Sequence, residues 1–308
     1  MDYLWMTMLA LLVVGWFVLE GFGVGAALVA PRVAPAAVER RRLLTAYGPF
    51  LLANEMWLVA AAGLLVGAFG TLEARVLSGL YAVFVPLLAA WVLRDASVWL
   101  RSRRPGALWR RMWDRTFVAS GAVFAACTGL VLGNVAMGVP GSGMVSPVRA
   151  YGPYPLLCAA TMAVLFALHG AVFLRARLTG DPAARAASAA RRLAPIAAGL
   201  SLVAVAVSLY VTASPYALIA LAAPAAALLC RTRAAERPGR AFAWSALAVA
   251  APVAAVGAGT AGTVLAAVDA SEVARTVLPP ALAVVLVFQA LLWWLFRRPV
   301  TGRAAAFF

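Results

Sequence analysis

The stretch LAPIAAGLSLVAVAVSLYVTASPYALIALAAPAAALLC, residues 193–230, is apolar almost without interruption. How it is read decides the fold. Ala213-Ser214-Pro215 is its one turn signal, and proline, which has no amide hydrogen to donate, fits the first turn of a new helix. Splitting there predicts helices at about 193–212 and 215–230 rather than a single long one. Working outward, Pro, Gly and Arg clusters bound seven further apolar runs, at about 4–30, 50–70, 76–98, 116–138, 153–174, 241–268 and 277–296. Each is of the length needed to cross a hydrocarbon core roughly 30 Å thick. The chain thus reads as all-α: one polytopic transmembrane bundle of nine spans over residues 1–308, a single membrane domain.

Arginine placement tests the split, because short cytoplasmic loops concentrate basic residues. All 26 basic residues are arginine. The segments after helices one, three, five and seven, with the tail, hold 22 of them; the alternate segments hold Arg75, Arg149 and Arg275, and Arg94 lies inside the third helix. This asymmetry predicts an outside N-terminus and a cytoplasmic C-terminus, with loops 99–115, 175–192 and 231–240 cytoplasmic. Merging the sixth and seventh helices would put the 231–240 loop and the tail on the wrong side.

Composition agrees. The 308 residues are 65% hydrophobic and 12% charged, half the charged fraction of a soluble domain, which is about 25%. The net charge of +15 would in a soluble protein suggest nucleic acid; here it sets topology, and no nucleic-acid partner is expected. Cys127, Cys158 and Cys230 lie in or beside apolar runs without CxxC spacing, so neither a disulfide framework nor a thiolate metal site is expected. The N-terminus MDYLWMTMLA carries an acid, no arginine and no following cleavage site, so the first apolar run is expected to stay in the mature protein.

Ionisable groups inside spans cost roughly 2.5–3.5 kcal/mol each and so need a partner, water or a purpose. Glu20, Glu55, Arg94, Asp95 and His169 are such groups. A rise of 1.5 Å per residue puts Glu20 about 5 Å, Glu55 and His169 about 7 Å and Arg94 about 10 Å to the cytoplasmic side of the midplane. Glu20, Glu55, Arg94 and His169, with Asn54 beside them, are the candidate buried polar cluster. It reads either as a structural ion pair with His169 bonded to a carbonyl, or as a proton path open to the cytoplasm. Asp95 and Arg94, nearest the helix end, are also candidates for snorkelling. One histidine cannot by itself build a haem or metal site, so no cofactor and no metal is expected on this chain. Gly21 and Gly25 form a GxxxG spacing that suits close helix packing.

Several strings together resemble subunit II of cytochrome bd-type quinol oxidases. They are Phe17-Val18-Leu19-Glu20-Gly21-Phe22-Gly23-Val24-Gly25, Glu39-Arg40-Arg41, Gly48-Pro49, Asn54-Glu55-Met56-Trp57-Leu58, Ser78-Gly79-Leu80-Tyr81 and Arg94. Trp109 to Asp114, Gly133 to Pro140, His169-Gly170-Ala171, Arg177-Leu178-Thr179-Gly180 and the tail from Phe288-Gln289 to Arg297 continue the pattern. Order and spacing carry the resemblance from about 10 to 180; from 181 to 276 it is mainly topological. The resemblance implies a bacterial cytoplasmic-membrane protein without haem, paired as a heterodimer with a subunit I. That partner would hold two b haems and haem d, oxidise quinol and reduce oxygen to water. It also implies a role for the first helices in delivering cytoplasmic protons. Whether a quinone binds this subunit and whether small accessory subunits join stay open, and lipid surrounds the rest. Three acids of the family pattern are replaced: one is Gly23, one falls in Leu51-Leu52-Ala53, and one lies near Val98 or Trp99. Those losses keep a purely structural membrane partner in view as an alternative. A small-solute transporter is the other rival, but the clearest helix break, Ser214-Pro215, falls at a predicted surface turn rather than at mid-membrane.

Overall fold

The computed structural model describes residues 2–141, 143–233 and 237–300, the side chains of 232 and 233 excepted. Among these residues the chain is helical, with no strand. The helices are α1 Asp2–Val33, α2 Ala37–Ala68, α3 Gly70–Gly79, α4 Tyr81–Leu100, α5 Ala107–Ala136 and the short α6 Pro147–Ala150. They continue with α7 Pro153–Arg177, α8 Asp181–Thr212, α9 Ala222–Arg233, α10 Pro238–Ala266 and α11 Glu272–Leu295. Eight are long and apolar enough to cross a bilayer, and Pro215–Arg231 is a shorter apolar segment, a pattern consistent with nine spans.

The split in the 193–230 stretch falls where the proline places it. Ala213, in the left-handed region at φ 50°, ends α8. Pro215 then opens a 3-10 turn, Pro215–Leu221, that runs into α9. Three helices begin well before the expected spans: α5, which starts at Ala107 rather than near 116, α2 and α8. α2 starts at Ala37 rather than near 50, because the Glu39 carboxylate accepts the Ala36 amide at 3.1 Å and the arginines that follow are good helix formers. Pro49 sits inside α2 without ending it. α8 starts at Asp181 rather than near 193, since its Ala/Arg run favours helix and Pro182 occupies the first turn. The third span also differs: α3 and α4 meet at Leu80, so the apolar helix begins at Tyr81 rather than 76.

α1 and α7 form the centre, with α5 packed against both; α2 and α10 flank α1, and α8 and α9 follow on the far side of α7 and α10. The arginine-rich segments gather at one end. Arg185 at the start of α8 donates to the Val33 carbonyl (3.0 Å) and pairs with Glu39 (2.5 Å). Arg101, after α4, pairs with Asp114 of α5 through Nε at 2.7 Å and reaches the Ala37 carbonyl at 3.4 Å. The Val300 amide bonds the Arg177 carbonyl at 2.8 Å, tying the chain beyond α11 to the end of α7. The opposite end is stitched mainly by backbone. Arg75 Nε donates to Pro140 O (2.7 Å), Tyr151 OH to Ala82 O (2.7 Å) and the Asp269 amide to Ala68 O (2.9 Å).

Candidate functional site

Three spans bring their ionisable groups to one point. Arg94, on α4, is fully buried, and its Nη1 is hydrogen-bonded to Glu20 of α1, which is 2% exposed. Its Nη2 lies 3.7 Å from Glu55 of α2. Asp95 turns back on its neighbour, its Oδ1 accepting Arg94 Nε at 3.0 Å and Nη2 at 2.8 Å. Trp91, one turn earlier on α4, donates Nε1–H to Glu55 at 3.1 Å. The guanidinium also lies over the Phe124 ring, 5.2 Å from its centre. One cation thus stands among three carboxylates. Glu20 is sealed, while the Glu55 and Asp95 side chains retain 14% and 20% exposure on the surface of the bundle.

Asn54 stands beside this centre rather than in it. Its amide donates to the Leu19 carbonyl at 2.7 Å and its oxygen accepts Gln289 Nε2 at 3.4 Å. Gln289 in turn accepts Trp57 Nε1–H at 3.2 Å. This string joins α1, α2 and α11. His169 is engaged elsewhere: one ring nitrogen is 2.7 Å from Ser245 Oγ and the other 3.0 Å from the Val18 carbonyl. Its ring stacks on Phe242 at 4.8 Å. With both nitrogens occupied, it offers none to a metal, and among the described residues no three His, Cys, Asp or Glu side chains are placed to hold one.

The two glycines of α1 lie at a close helix crossing. A Cβ on Gly25 would stand 1.7 Å from the Phe166 carbonyl oxygen, and one on Gly21 would meet the Phe166 ring at 2.8 Å. The reciprocal glycine, Gly170 of α7, is equally tight against the backbone of Gly25. Asp95, expected near the helix end, joins the Arg94 centre, and Trp91, Gln289, Ser245 and Gly170 belong to these networks although periodicity alone did not mark them. Trp91 and Asp95 carried a signal, since both share a helix face with Arg94 or adjoin it. For Gln289 and Ser245 the hint was a lone polar residue in an apolar helix.

A second ionic group lies towards the arginine-rich end. Arg40 and Arg101, both buried, share Asp114, at 3.9 Å and 2.7 Å. Phe22, Phe50, Phe173, Phe242 and Trp293, from α1, α2, α7, α10 and α11, form an aromatic plug, with Phe22 and Phe173 stacked at 4.3 Å and Phe50 against Trp293 at 4.7 Å.

Fold and site together define a polytopic helical membrane protein with a largely buried ion centre at the meeting of three spans. The sequence matches the family model for cytochrome bd terminal oxidase subunit II over residues 1–296, and the chain belongs to that family. It is 31% identical over 194 residues to the cytochrome bd ubiquinol oxidase subunit 2 of Bacillus subtilis, an alignment covering 62% of this chain and 57% of that protein. The probable cytochrome oxidase subunit 2 of Haemophilus influenzae is 30% identical over 185 residues, 58% of this chain and 49% of that one. The chain therefore spans about half the length of the curated relatives it matches. In shape it resembles a chain of the bd oxidase from Geobacillus thermodenitrificans, with a TM-score of 0.73 at 14% identity, covering 96% of this chain and 98% of that one. With its apolar helices and bacterial relatives, it is a multi-pass protein of the bacterial inner membrane.

Proposed function

We propose that this chain is the non-haem subunit II of a cytochrome bd-type terminal quinol oxidase and that its Arg94 centre serves proton supply. In this reading the haem-bearing subunit I, with two b haems and haem d, oxidises quinol and reduces oxygen to water. The present chain supports it as the other half of a heterodimer. Nine spans form one membrane domain with the N-terminus outside and the arginine-rich end in the cytoplasm, as the 22 to 3 arginine distribution supports.

The observation that carries the proton-supply reading is the mismatch of charge around Arg94: one guanidinium, three carboxylates. A single cation compensates one carboxylate. Leaving two more ionised and unpaired in an apolar medium is costly, so such a centre has the capacity to take up and release protons. Its exposed members, Glu55 and Asp95, lie on the surface between α2 and α4, where charge facing bare lipid is unfavourable and a partner would cover it. Protons held there would be offered to that partner.

Glu20→Gln and Glu55→Gln test this in the assembled oxidase. Each should slow quinol-driven oxygen consumption by roughly a hundredfold, the lower end of what proton-transfer groups contribute. If both variants assemble and turn over at the unmodified rate, the path does not use these residues. A structural partner, with Arg94 as a buried fastener between α1, α2 and α4, then becomes the better reading.

A further inference from the structure

Glu20 cannot exchange protons with the arginine-rich end unless something polar lies between. On one side of α1 the way is closed by the aromatic plug of Phe22, Phe50, Phe173, Phe242 and Trp293. The other side holds Tyr47 of α2. Its ring occupies the space that a side chain at Gly23 would fill: a Cβ there would lie 2.4 Å from Tyr47 Cε2 and 3.0 Å from its hydroxyl oxygen. Gly23 is one helical turn from Glu20 towards the arginine-rich end, so the phenol is inserted beside the turn that follows the buried carboxylate.

Tyr47 is fully buried, yet its hydroxyl has no hydrogen-bond partner among the described residues. Of the six other buried side-chain atoms that share that condition among the described residues, two flank the phenol along its own helices: Glu20 Oε2, one turn along α1, and Arg40 Nη1, two turns back on the same face of α2. Buried polar atoms are almost always bonded to protein or to ordered water. Three orphans in order, running from the Arg40–Asp114 group to the Arg94 centre, form a row that water would complete.

We propose that Tyr47 is the relay between the arginine-rich end and Glu20, its hydroxyl joining water on either side. The inference rests on the proton-supply reading above. In one transfer the hydroxyl oxygen accepts a proton from protonated water (H3O+) on the Arg40 side, leaving H2O, while its own hydrogen passes to water on the Glu20 side, which hands a proton on to the Glu20 carboxylate. The phenol ends neutral, and one proton has moved. Gly23 makes the arrangement feasible, because any side chain at that position would displace the ring.

Tyr47→Phe removes the hydroxyl and keeps the ring. In the assembled oxidase it should leave haem content and co-purification with the partner unchanged. Quinol-driven oxygen consumption should fall roughly fivefold to tenfold, the size of one lost hydrogen bond in the transition state. It should also enlarge the solvent deuterium isotope effect on turnover, which a packing role would not move. An unmodified rate and isotope effect overturn the proposal. If Glu20→Gln and Glu55→Gln are slow in the same preparation, only the relay fails; if all three run at full rate, the path reading fails with it. Loss of the complex in Tyr47→Phe would assign the hydroxyl to assembly, and the relay would be wrong.

Discussion

The helices before Gly180 and those after it hold together by different means. In the first group the contacts are specific. A buried arginine binds α1, α2 and α4, Gly25 and Gly170 let two backbones touch, and Gly129 does the same against Ala159 and the Cys158 carbonyl. In the second group alanine meets alanine: Ala190, Ala194 and Ala197 of α8, Ala226 and Ala227 of α9 and Ala241 and Ala248 of α10 are all buried. Gly199, Gly257 and Gly262 in that group have open space around them. Specific contacts tolerate few residue types, whereas small apolar side chains can be exchanged while the helix axes stay in place. Likeness in shape covers 96% of the chain at 14% identity, while the alignments with the two curated relatives reach about 60% of it.

Breaking the contrast is most effective at its ionic end. Arg94→Gln should cost about 3–5 kcal/mol by leaving Glu20 buried without its cation, enough to abolish recovery of the purified complex. Gly25→Ala comes next. Its methyl group would overlap the Phe166 carbonyl, so α1 and α7 must separate, at about 3 kcal/mol of overpacking, read as a drop in the melting temperature of the detergent-solubilised complex. The same exchange at Gly257 should have the opposite sign. Nothing stands within 4 Å of a Cβ there, and alanine is the better helix former by about 0.5–1 kcal/mol, so Gly257→Ala should raise the melting temperature slightly. If the two glycines responded alike, the division between close crossing and loose packing would be mistaken.

The two groups also differ in how much of them was legible beforehand. Glu20, Glu55 and Arg94 stood out because charge inside an apolar run is expensive wherever it lies, and depth along the helix put them at one level. Depth carries no information on azimuth, however. His169, at the same calculated depth, turns instead to Val18 and Ser245, and Asp95, assigned to the helix end, folds back on Arg94. Helix starts at Ala37 and Asp181 were hidden because arginine-rich segments read as loops by hydropathy while having good helix propensity.

Taken alone, the order of residues determined that the chain is an all-helical membrane bundle, with a pattern of apolar segments consistent with nine spans. Each of these follows from apolar length and from the placement of arginine, properties that add up along the chain without reference to neighbours. Tertiary structure alone decided which buried groups meet, because a contact depends on the rotation of one helix about its axis relative to another. That rotation is set by packing at pairs such as Gly25 and Gly170. The same packing put Tyr47 into the space that Gly23 leaves, a pairing across 24 residues that no local pattern announces.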